Sequence, residues 1–215
     1  MSTSRKSRAF TLLEMTLAMT ITAITGLSVA GATMALCRAH QNTEGFYQSL
    51  QTTRSAMLRI QRTIQNSKLV TANTGTTLVL WVDDTNGNRT IDADEVLLLV
   101  FDTAAREVRM LRKVFPPAAH DALNVDVPLS TLISASTVLS GMVASAYTQT
   151  TVLASDAVDF FASASPAPPM ATRVDFRLSV GSGKDLVTLR SSASTRGGLT
   201  AKVTVVHGSY VLLPG

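Results

Sequence analysis

Between Met15 and Cys37 the chain carries 23 consecutive residues without a charge. As a helix that run is about 35 Å long, enough to cross a bilayer core of about 30 Å. Nothing else in the 215 residues limits the fold as strongly. Ahead of it stand a basic leader (Arg5, Lys6, Arg8), the small residue Ala9, Phe10, and a single acid, Glu14. A carboxylate at the mouth of such a segment is costly, up to about 3 kcal/mol at its centre, so Glu14 asks for a reason. An ordinary secretory signal has a shorter apolar core and no acid at its start. A plain signal anchor fits the length but leaves Phe10 and Glu14 unexplained. A lipoprotein signal at Cys37 is disfavoured by the bulky Leu36 before it.

Leader charge, small residue, Phe10, a glutamate at the fifth position from it, and the apolar run together resemble the prepilin N-terminal cleavage and methylation signal. The resemblance implies cutting between Ala9 and Phe10 by a prepilin peptidase, N-methylation of Phe10, and a role for Glu14 in subunit assembly. Ala9 stands where that family usually has glycine. Ala18, Thr22, Gly26 and Ala30 recur every four residues and place small side chains on one helix face, where another helix can approach closely.

Removing residues 1–9 takes away three bases and no acids, so the net charge falls from +4 to +1. A general nucleic-acid surface is therefore disfavoured. The leader charges suit a positive-inside signal that leaves everything after Arg38 outside. One cysteine excludes an intrachain disulfide.

Phe46, Leu50, Thr53, Met57, Ile60 and Ile64 follow helical spacing, which predicts that the helix continues to Asn66–Ser67 with one face on a core. Short strands are expected at 78–82, 96–101, 107–114, 152–161, 172–180, 185–192 and 201–213. Residues 118–150 give no clear assignment, with a helix or an ordered loop at 129–143. The expected organisation is a leader (1–9), the transmembrane half of a helix (10–37), its extramembrane half (38–66) and a β-rich domain (67–215). Helix first and strands after argue for α+β with an antiparallel sheet. The order resembles the larger minor pseudopilins, above all the J-type, and minor pilins of type IV pili.

A second informative stretch runs from Asp84 to Glu95. Asp84, Asn86, Asn88, the Thr90 carbonyl, Asp92 and Glu95 match the oxygen positions of an EF-hand loop, and Ile91 matches its apolar eighth place. Arg89 occupies the place of the glycine. Residues 83–95 carry five acids and one base, so closure invites a cation, and Ca2+ is the expected one. The competing reading is an acidic hairpin tip that turns at Asn86-Gly87. Gly181-Ser-Gly183-Lys184 lacks the parts of a phosphate loop, and His40, His120 and His207 show no metal-ligand spacing. No motif asks for catalysis.

The expected function is a structural subunit of a type II secretion or type IV pilus filament. It would sit in the bacterial inner membrane as a single pass, with its C-terminal domain in the periplasm or on an extracellular filament. Its partners would be the peptidase, other pilin-like subunits and an assembly platform. The alternative is a membrane-anchored, calcium-dependent binding module that never polymerises.

Overall fold

The computed structural model describes residues 11–88, 90–196, 203–206 and 209–212. The leader, Ala9, Phe10 and Arg89 lie outside them. One helix, α1, runs from Leu12 to Asn66. No proline interrupts it, and its threonines return their hydroxyls to the helix: Thr16, Thr20, Thr22, Thr25 and Thr33 each bond a carbonyl three or four residues back. At the far end the N–H and the hydroxyl of Ser67 both donate to the Ile64 carbonyl. Contacts divide the chain into two units, Met1–Gly45 and Phe46–Gly215. In the first, the helical residues from 12 to 40 are exposed, and their apolar window is long enough to cross a membrane.

In the second unit, α1 buries Thr53, Ala56, Met57, Ile60 and Ile64. The expected stripe therefore packs from Thr53 onward, whereas Phe46 at its start is 41% exposed. The strands that follow are β1 (Leu69–Asn73), β2 (Thr77–Trp81), β3 (Val96–Asp102) and β4 (Glu107–Lys113). A turn at Pro117–Ala119 leads to α2 (His120–Leu123), α3 (Leu129–Leu132) and α4 (Ala135–Ala144). Then come β5 (Thr148–Ala154), β6 (Ala157–Ser165), β7 (Arg173–Val180), β8 (Val187–Ser194), β9 (Val203–Val206) and β10 (Ser209–Leu212).

All named pairings are antiparallel. β1 to β5 form one sheet in chain order, β6-β7-β8 a second, and β9-β10 a hairpin. The α+β class and the helix-first order agree with the sequence. The five-stranded sheet is covered on both faces. Leu78, Leu80, Leu97 and Leu99 join the core with Ile60 and Ile64. Val79, Trp81, Val96 and Leu98 join a second core with Leu129, Leu132, Val138 and Met142 of α3 and α4. Period-two alternation sends neighbouring residues to opposite faces, so two cores require the unbroken apolar run Val96–Val100. The second core also accounts for residues 129–144: this Ala/Ser/Thr-rich stretch is a pair of helices that roofs the sheet.

Three strand expectations are corrected. The run 152–161 is not one strand, because Asp156 (φ 54°) turns the chain between β5 and β6, a conformation that aspartate tolerates. The run 201–213 holds two strands, β9 and β10. β1 was not anticipated: Leu69–Asn73 follows the helix with no glycine or proline to announce it. Gly181 is required by its backbone, since φ is +110° and a Cβ there would lie 2.3 Å from the Asp185 carbonyl.

Candidate functional site

Two places carry the expected chemistry, and each lies within one unit. At the start of α1 the helix is capped by its own first residues. The Thr11 N–H donates to Glu14 Oε2 at 3.0 Å, the Thr11 hydroxyl donates to the same oxygen at 3.1 Å, and the Glu14 N–H donates to the Thr11 hydroxyl at 3.3 Å. This is a reciprocal capping box: orphan amides at the first turn find partners, and the acid sits at the positive end of the helix dipole. Its signal in the sequence is Thr11-Leu-Leu-Glu14, the spacing of a capping box. Only Oε2 is engaged in these bonds. Ala18, Thr22, Gly26 and Ala30 follow on the exposed helix, and the Thr22 hydroxyl is spent on the Ala18 carbonyl at 2.8 Å.

The second place is the connection between β2 and β3. It begins beside Lys68, whose ammonium lies 3.4 Å from Asp83, 3.8 Å from Asp84 and 5.2 Å from the centre of the Trp81 ring. Glu95 is 1% exposed and accepts from four donors: the Thr85 N–H and hydroxyl on Oε1, and the Trp81 indole N–H and Asp92 N–H on Oε2. The Asn86 and Asn88 side-chain amides both donate to Asp92 Oδ2, at 2.6 and 3.1 Å. Asn86 and Asn88 also accept, from the N–H groups of Asn88 and Thr90. The predicted oxygen-bearing residues therefore meet in one loop. Both oxygens of Glu95, Oδ2 of Asp92 and the Asn86 and Asn88 side-chain oxygens are held by N–H and O–H donors, and among the described residues no group of three or more His, Cys, Asp or Glu is arranged to hold a metal ion.

A strap that sequence reasoning missed lies on this loop. Val127 N–H bonds the Ile91 carbonyl, Ala93 N–H bonds the Val125 carbonyl, and Asp94 N–H bonds Asn124 Oδ1. The Thr90 hydroxyl donates to Asp126. His120 Nε2 lies 3.1 Å from Asp94 and its Nδ1 3.3 Å from Asp121. Hydrogen bonding to Asp94 first, and then to Asp121, raises the His120 pKa above its ordinary value. Burial, the facing Asp126 and the nearby Glu95 raise that of Asp92, against the opposing pull of Asn86 and Asn88. Contacts across some thirty residues leave no local pattern to read.

Against known proteins, residues 4–30 match a model of the prokaryotic N-terminal methylation motif. The match supports a type IV pilin-like chain and, with the apolar helix, membrane anchoring. No curated protein and no solved structure matches.

Proposed function

We propose that the chain is a minor pilin or pseudopilin, J-type in character, that serves a type II secretion or type IV pilus filament as a structural subunit. A prepilin peptidase cuts it after Ala9, it crosses the bacterial inner membrane once with the β-domain in the periplasm or on the filament, and an assembly platform builds it in beside other pilin-like subunits. The reading excludes a catalytic role. The observation that carries it is the methylation motif at 4–30 running directly into a helix whose apolar half is exposed. In assembly, the second oxygen of Glu14 faces the freed α-amine of a neighbouring subunit, a charge-assisted contact that offsets desolvation of both groups. Ala18, Thr22, Gly26 and Ala30 form the close-packing face.

Mass spectrometry of the mature chain tests the reading. A start at Phe10, methylated and dependent on the peptidase, is expected. An intact N-terminus, or membrane protein that never crosslinks to another helix-first subunit, refutes it.

The second proposal is that the loop 84–95 takes Ca2+. It is favoured by Asp92 and Glu95 being 3% and 1% exposed in one short loop, with the Asp84 side chain at 10%. The asparagine amides would turn their oxygens to the ion through the same positions. If crosslinking fails while calcium still binds, the chain is the anchored, calcium-dependent module that does not polymerise.

A further inference from the structure

Among the described strands, β8 ends its sheet with a long and regular edge. The edge of β6 is engaged at Ala162 by β1 and the turn after it: Asn73 Nδ2 donates to the Ala162 carbonyl at 3.0 Å, and the Ala162 N–H donates to the Gly75 carbonyl at 2.7 Å. The pairing of β5 with β4 carries a register shift at Val108/Arg109. β8 has neither protection. Its eight residues pair with β7 without a shift, from Arg173↔Ser194 to Val180↔Val187, and no described strand pairs with its other side. It contains no proline, and its one charge is Arg190. Natural proteins blunt free edges with prolines, bulges and charges, and this one is left regular.

The outer face beside that edge has an unmet charge. Arg173, Asp175 and Arg177 of β7 and Arg190 and Ser192 of β8 line an open groove of about 470 Å³, with Phe161 on its far wall. Arg173 is paired with Asp175 at 2.8 Å, and Arg177 with Asp159 at 2.7 Å. Arg190 stands directly across from Arg177 and has no ion-pair partner among the described residues. Like charges placed opposite one another across strands destabilise a sheet, and folding does not require an arginine at this exposed position.

We infer that the β8 edge docks an extended, acid-bearing segment of a different subunit, which adds as a strand and sets a carboxylate against Arg190. Main-chain hydrogen bonds supply the affinity and the carboxylate supplies the register. A second copy of β8 is a poor occupant. Residues opposite one another in an antiparallel pair share a face, so Arg190 would meet Thr188, Arg190, Ser192 or Ser194, and none is acidic.

The inference rests on the filament reading, and two photo-crosslinker positions in the full-length chain separate the two. One replaces Ser192 at the edge and the other Leu27 in the membrane helix. Crosslinking from both to another subunit is expected. In the Ser192 series the yield should fall several-fold with Arg190→Glu and persist with Arg190→Lys, while the melting temperature of the protein does not fall, since Arg190→Glu removes a like charge from opposite Arg177. Crosslinking from Leu27 alone overturns the edge and leaves the filament standing. Edge crosslinks only to a second copy of this chain, or a yield indifferent to Arg190→Glu, also overturn it. Silence at both positions overturns the inference together with the filament.

Discussion

Thr11 and Glu14 bond each other in both directions, side chain to backbone, at the first turn of α1. Glu14 thus has work to do inside its own chain before any neighbour arrives. The two roles separate by substitution. Thr11→Ala removes the cap, should weaken the first turn by about 1 kcal/mol, and should leave crosslinking to other subunits intact. Glu14→Gln keeps a capping side chain but loses the charge, and should insert normally yet fail to join filaments. Normal assembly of Glu14→Gln in a crosslinking assay would show that the glutamate only caps.

Ile60 is fully buried among residues of both sheets. Ile60→Ala should cost about 2–5 kcal/mol, read by chemical denaturation of the detergent-solubilised chain. Phe46→Ala, on the same stripe but exposed, should cost far less. Equal costs would mean that the helix packs along its whole outer half.

His120 ties the strap to the acidic loop through Asp94. Its folded pKa is raised, so its contribution is complete below the unfolded value near 6.5 and is lost as pH rises through the folded value. Thermal melts should therefore show the wild type losing stability relative to His120→Gln as pH climbs past about 6.5. Parallel curves for the two proteins would show that the contact carries no charge.

The folded pKa of Asp92 is also raised. The protonated form is the one favoured by folding, so this contribution is present below the unfolded value of 3.8 and lost as pH rises through the folded value. Once ionised, the carboxylate is held at a cost, chiefly from burial. Asp92→Asn should accordingly melt higher than wild type in chelator. In millimolar Ca2+ the order should reverse, since binding to the native state alone adds about 2.7 kcal/mol at a hundredfold excess over Kd. Asp84→Ala with Glu95→Ala should erase the calcium response, and Arg89→Gly should enlarge it. A wild type that melts identically with calcium and with chelator would make the loop an acidic hairpin tip.

What could be read beforehand was what repeats or stands close in the chain. The apolar run, the stripe through Ile60 and Ile64, and the hydrophobic strands β2 and β3 carry their periods within a few residues. Asp84 to Glu95 could be recognised as one loop for the same reason. The strap was hidden because His120 meets Asp94, and Val127 meets Ile91, only after two sheet strands have folded between them. The break at Asp156 was hidden differently: apolar residues continue on both sides, and only the backbone angle reveals the turn. Residues 129–144 were ambiguous because their composition favours no element, and Leu132, Val138 and Met142 become helical by covering the outer face of β2 and β3.

The threonine hydroxyls of α1 have a mechanical consequence. Thr16, Thr20, Thr22, Thr25 and Thr33 each satisfy a carbonyl of their own helix, so this stretch offers a neighbour shape in place of directional bonds. Two helices that meet through such surfaces act as a plain bearing: they press together closely, yet a slip along the axis breaks no hydrogen bond between them.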